Sequence, residues 1–169
     1  MQSKFNKKII IEIVIALIVL FALIKIIGII TEPKEISNFK KIMKDKGYTV
    51  KNISASDIQA QDTKTGQIIE AVKNSDECIL AQFEDGNNAE VYFQTMYLIT
   101  TASGSKAKML KQSSNFFKID PTGIDYSEDK MISKEKIGYI VYSRKGNIVL
   151  IIVSDSENSA ISLSEELGY

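Results

Sequence analysis

The reactive side chains this sequence holds in quantity are serine, lysine and carboxylate, and it contains no histidine. Histidine is the usual base of serine and cysteine triads and the commonest metal ligand, so both chemistries lose their normal carrier. Zinc binding would fall to Cys78 and carboxylates alone, a poor donor set for that ion. The lone Cys78 forms no intramolecular disulfide. It stands in Glu77-Cys78-Ile79-Leu80-Ala81, where it reads as a small hydrophobe in a buried strand. Carboxylates gather at Asp76-Glu77, Glu84-Asp85, Glu128-Asp129, and Asp155 with Glu157. A calcium loop needs alternating oxygen ligands, a glycine and a distal glutamate. None of the four has that register, and turns and helix caps explain them better. Ser103-Gly104-Ser105-Lys106 has a phosphate-loop flavour but neither the spacing nor the strand-to-helix context, and reads as a flexible loop. Serine–lysine pairs arise by chance in a chain with this many lysines. Asn52-Ile53-Ser54 matches a glycosylation sequon inside a predicted strand, and is read as coincidence. Arg144 is the one position to watch. It is the only arginine, near Tyr142 at a hairpin end, and its fork suits a carboxylate or phosphate ligand. The plainer reading is a pairing with an acidic residue on a neighbouring loop. No catalytic, cofactor-binding or metal-ligating residue and no cofactor is assigned, and no enzyme activity is expected.

The 21 basic and 21 acidic residues cancel. A nucleic-acid partner calls for a basic surplus gathered on one face, so none is expected. The strongest single signal is apolar. From Ile9 to Ile30 the chain reads IIIEIVIALIVLFALIKIIGII. As a helix it would rise about 33 Å, against a hydrocarbon core of about 30 Å. Seventeen of its residues are Ile, Leu, Val or Phe, contributing on the order of −5 to −10 kcal/mol to insertion. Glu12 and Lys25 each oppose this by at most about 2.5–3.5 kcal/mol, and neither is central. The segment therefore predicts a transmembrane anchor over residues 9–30, with the lipid bilayer as its partner.

A cleaved signal peptide is the main competitor, since Met1–Lys8 is a proper basic leader. No A-x-A-like triplet follows the apolar run, and no cysteine near the boundary offers a lipid attachment site. A pilin-like reading would set Glu12 at the conserved-glutamate position, but the processing glycine it needs is replaced by Lys7. The lysines before Ile9 place the N-terminus in the cytoplasm by the positive-inside rule, although Lys40, Lys41, Lys44 and Lys46 dilute the bias. The expected organisation is a cytoplasmic tail at 1–8, an anchor at 9–30, a linker at 31–35 and an extracytoplasmic soluble domain at 36–169. The expected location is the plasma membrane, crossed once.

The soluble part is large enough for a core without disulfides or metals. Ile36, Phe39, Ile42 and Met43 lie at helical spacing, with Ser37 as N-cap and Gly47-Tyr48 as a Schellman terminator. Ala160, Ile161, Leu163 and Leu167 repeat the pattern, opened by Ser154 and Glu157 as a capping box and closed by Gly168-Tyr169. Between them the reading predicts strands at Tyr48–Ser54 and Cys78–Phe83, a short helix at 66–73 and a helix at 89–102 capped from Asp85-Gly86-Asn87-Asn88. Residues 101–115 read as a mobile connection and Asn115–Asp120 as a strand. A turn follows at Pro121-Thr122-Gly123, with a short return at Ile124–Tyr126. Ile137–Val153 reads as a hairpin around Arg144-Lys145-Gly146. The order argues an α+β domain whose mainly antiparallel sheet is covered on one face by helices.

Gly47-Tyr48, Ala89 to Phe93, Arg144 and Leu167-Gly168-Tyr169 together form a layout that resembles uncharacterised membrane-anchored proteins and lipoproteins of low-GC Gram-positive bacteria. The lysine- and isoleucine-rich composition is of the same kind. The resemblance spans the soluble part and implies no chemistry. Two readings of function follow: a non-catalytic extracytoplasmic module binding a protein, peptide or envelope component, or a structural subunit whose Glu12 and Lys25 find partners among other membrane helices.

Overall fold

The structure is a computed structural model that describes residues 32–60, 63–112, 128–135 and 138–169. The predicted tail at 1–8, the anchor at 9–30, and the strand, turn and return expected between 115 and 126 lie outside the described residues. Among those described, no helix is long and apolar enough to cross a membrane. The chain divides into two compact units, Met1–Ser37 and Asn38–Tyr169. Of the first, only residues 32–37 are described, and they end in the first turn of helix α1 (Lys34–Asp45).

The second unit is built on one antiparallel sheet of seven strands. These are β1 (Thr49–Asn52), β2 (Thr65–Lys73), β3 (Asp76–Phe83), β4 (Lys106–Lys111), β5 (Glu128–Glu135), β6 (Gly138–Lys145) and β7 (Ile148–Ser154), in the order β1-β2-β3-β7-β6-β5-β4. Helix α2 (Gly86–Ala102) joins β3 to β4, and α3 (Glu157–Glu166) follows β7. The α+β class stands, as do the 89–102 helix and the C-terminal hairpin.

Register shows what each face holds, because strand side chains alternate sides. Ile68, Ile79, Ala81, Val149, Ile151 and Met131 share one face and form a core with Ala89, Tyr92, Phe93 and Met96 of α2. Ile69, Ala71, Cys78, Leu80, Leu150, Ile152 and Val141 occupy the other face and are also buried. On that second side α3 lies against β6 and β7, and Ser164 of α3 meets Ser143 of β6 at 3.0 Å. Phe39 and Met43 of α1 are buried too, and Lys73 of β2 donates to the Lys46 carbonyl at the end of α1. Helices thus cover both faces, not the one expected. The near-continuous apolar runs of β3 and β7 have that cause, since a strand buried on both sides has no polar face to show.

Three further corrections follow from pairing. Residues 66–73 are strand, not helix: Ile68 and Ile69 look helical in sequence, but they bury on opposite sheet faces between β1 and β3. The expected mobile stretch contains β4, where Ala107 and Met109 turn inward between exposed lysines. Strand β5 gave no signal of its own, and its Glu128 and Asp129 pair with Lys145 and Arg144 of β6 rather than sitting in a turn.

The helix ends show local chemistry. Asp85 caps α2, accepting from the Asn88 amide at 2.8 Å, as expected. Helix α1 begins at Lys34 behind Pro33, ahead of Ser37, because proline's fixed φ suits a helix start. Ser156, not Ser154, caps α3; Ser154 remains in β7 and accepts from the Ser156 amide. Both Gly-Tyr terminators form. Tyr48 N–H donates to Met43 and Gly47 N–H to Lys44, and Tyr169 and Gly168 repeat this onto Ser164 and Glu165.

Gly47 sits at φ +82°, and a Cβ there would come no nearer than 3.8 Å to Lys73. Gly138, at φ +131°, would drive a Cβ to 2.5 Å from the Ser154 carbonyl oxygen. Gly47→Ala should therefore cost about 1 kcal/mol in conformation alone. Gly138→Ala should lower the denaturation midpoint by clearly more, since backbone must also shift. Equal losses would contradict the entry of β6 against Ser154.

Candidate functional site

Three places gather polar chemistry. The first is buried. Arg144 on β6 is 1% exposed, beneath α2. Its Nε donates to Asp129 Oδ2 at 3.0 Å, and its terminal amine also pairs with Asp129 and with Glu90 of α2. Gln94, one turn on, donates to Glu90 at 2.6 Å. Asp129 lies directly across the ladder from Arg144. The plainer sequence expectation, an acidic partner, thus holds, but the partners come from a helix and a strand rather than a loop. All three groups are closed off from solvent, so the arginine fork is spent inside the fold and not on a ligand.

The second place is a groove of about 810 Å³ between the end of α2 and β4–β6. Ile99, Ile140 and Tyr142 supply apolar wall, while Ser105, Lys106, Lys134 and Glu135 supply polar groups. Its volume is in the range of ligand sites. Ser105 Oγ donates to Glu135 at 2.8 Å, and Ser103 Oγ donates to the Thr100 carbonyl at 2.7 Å. Both hydroxyl protons are thereby occupied, and a carboxylate is a weak base toward an alcohol. The arrangement stiffens the loop. It also settles the phosphate-loop resemblance: Ser103-Gly104-Ser105-Lys106 runs from helix to strand, and the Ser103 and Gly104 amides are bonded back to Ile99 and Thr101. A helix C-terminus presents carbonyls, which repel an anion. Burial, with Glu135 adding to it, raises the Tyr142 phenol above its ordinary value.

Beside the groove, α2 turns an apolar stripe outward. Leu98 is 54% exposed, Ile99 51% and Val91 42%. The exposed Thr95 and Thr101 donate their hydroxyls back to the Val91 and Tyr97 carbonyls. No rule of periodicity singled this stripe out, because it lies on the face opposite the one that makes α2 amphipathic.

The third place is the Glu70–Glu77 pair. Both lie on the α2 side of the sheet, Glu70 opposite Ile79 and Glu77 opposite Val72. Glu70 pairs with Lys51 at 2.7 Å. Burial raises the Glu77 carboxyl above its ordinary value, the Glu70 charge and hydrogen bond raise it further, and Lys51 offsets only part. Cys78, next along, is fully buried and its thiol is pushed far up by desolvation, which is the hydrophobic role expected of it. Among the described residues no three of His, Cys, Asp or Glu stand close enough to hold a metal ion. Asp155 accepts from Ser75, and Asp85 is a cap whose bond from Asn88 holds its carboxyl below the ordinary value. The four acidic groups thus serve different structural ends. Comparison with protein-family models, curated proteins and solved structures gives no match.

The Glu77 carboxyl gives a pH signature. A carboxyl raised in the fold binds its proton more tightly than in the unfolded chain, so its contribution is full below the unfolded value, about 4.3, and is lost as pH rises through the folded one. Glu77→Gln should match the parent in acid and exceed it in denaturation midpoint at neutral pH. Midpoints that stay parallel across this window would contradict the pairing.

Proposed function

We propose that the chain is a single-pass membrane protein whose extracytoplasmic domain is a non-catalytic binding module, taking a polypeptide partner on the outward face of α2 and the adjoining groove. One observation carries the reading: Ile99, which lines the groove, stands more than half exposed, as does its neighbour Leu98 on the outward face of α2. An apolar stripe of this kind, continuous with a concavity, is how interaction sites differ from ordinary surface. The apolar stretch at 9–30 supports the anchor, and the lysines before it support a cytoplasmic N-terminus. The resemblance to membrane-anchored proteins and lipoproteins is of a piece with this. In this reading no cofactor or nucleic acid takes part.

Thiol labelling tests the whole statement at once, because the native Cys78 is buried and silent. Lys44→Cys places a thiol on the exposed side of α1, and Leu98→Cys places one on the stripe. With a membrane-impermeant maleimide on intact cells, Lys44→Cys should label promptly. Leu98→Cys should be protected there and label fully once the protein is purified in detergent. Labelling of Lys44→Cys only after the membrane is broken would overturn the topology. Equal labelling of both in cells would overturn the docking face.

A further inference from the structure

We propose that the outer edge of β4 receives this partner as an added strand, an extended segment whose side chains alternate between carboxylate and small apolar groups. The inference rests on the binding-module reading and names the chemistry of its partner. Strand β4 ends the sheet, and among the described residues it pairs with β5 alone. No described strand pairs on its outer side; the Ala107 amide there is bonded back to the Ser105 carbonyl at 2.9 Å, and the remaining edge donors and acceptors are the template for strand addition.

The side chains say what kind of strand fits. Lys106 and Lys108 project to the side of the sheet that carries α3, and Ala107 and Met109 to the side of α2. Lys106 stands directly opposite Lys134; Lys111, opposite Lys130, is instead neutralised by an ion pair with Glu128. Like charges facing across a ladder destabilise it. Among the described residues, no carboxylate forms an ion pair with Lys106, Lys108 or Lys134; Lys134 instead rests over the Tyr139 ring at 5.5 Å. Lysine on an edge commonly serves to block self-pairing. One outward lysine does that, whereas opposing a second behind it concentrates positive charge on one side of the edge. A strand with a carboxylate at every second position relieves both lysines, while its intervening small residues cover the half-buried Ala107 and Met109. A second copy of β4 would set lysine against lysine. The register shift between Met109 and Lys111 ends the regular edge, so the partner segment is short.

The test uses the full chain in detergent micelles and a labelled peptide alternating glutamate and valine, with anisotropy for affinity and hydrogen exchange for location. The peptide should bind and slow exchange across residues 106–109. Lys106→Glu with Lys108→Glu should weaken it by about tenfold and bind a lysine–valine peptide instead, with the denaturation midpoint showing that the variant stays folded. Slowed exchange confined to α2 and the 103–105 loop would overturn strand addition and leave the binding module standing. Absence of binding by the acidic peptide would overturn strand addition as well, while thiol protection at Leu98 still decides the module. Displacement by inorganic polyphosphate without any slowing in β4 would mark a plain counter-ion surface and overturn it too.

Discussion

A guanidinium closed off from water must be paired, and the architecture on one side of the sheet depends on how Arg144 meets that demand. Its partners come from separate pieces of chain: Asp129 from the neighbouring strand and Glu90 from α2, the fifth residue of the helix that Asp85 caps. Ordinary core packing would let α2 slide, since Ala89, Phe93 and Met96 are greasy and tolerant. A charged fork with fixed geometry is not tolerant. The arrangement pins the helix along its axis and about it, which fixes which residues face inward. Tyr92 adds a second pin, giving its hydroxyl to the Ile58 carbonyl at 2.8 Å while its ring packs on Phe83.

Once α2 is pinned, the surface follows. With Glu90, Phe93 and Met96 committed to the sheet, Val91, Leu98 and Ile99 are left facing outward, and the end of the helix is held over β4–β6 so that a groove opens there. The same sheet, carried past the helix, ends in the lysine-flanked edge of β4. Buried charge, outward stripe and groove are therefore linked consequences of one helix position. The opposite face is closed differently, by α1 and α3, where Lys46 just past α1 pairs with Glu166 at 2.8 Å, and the concavities described there are smaller, at about 310 and 270 Å³.

Much of this was legible from the chain, and the parts that were not share a reason. Asp85-Gly86-Asn87-Asn88, Gly47-Tyr48 and Gly168-Tyr169 are local signals, in which side chain and backbone a few residues apart decide the outcome; both terminators form as read, and Asp85 is the expected cap, though Gly86-Asn87-Asn88 is the first turn of the helix rather than a turn before it. The 66–73 segment misled because Ile68-Ile69 is ambiguous until both sheet faces are known to be buried. Strands β4 and β5 were missed because each is lysine-rich and is made a strand by partners distant in sequence. The candidate site suffered most. Arg144 was noticed for its rarity, yet nothing near it in sequence points to Glu90 or Asp129, and a net charge of zero conceals lysines that only the β4–β5 register brings together.

The most direct measurement compares two variants by equilibrium denaturation: Arg144→Met alone, and Arg144→Met together with Glu90→Leu and Asp129→Leu. If the buried arginine pins α2 to the sheet, the single change strands two carboxylates and should cost about 3–5 kcal/mol, and removing them as well should recover most of the loss. A single variant as stable as the parent, or a triple variant less stable than the single, would contradict the account.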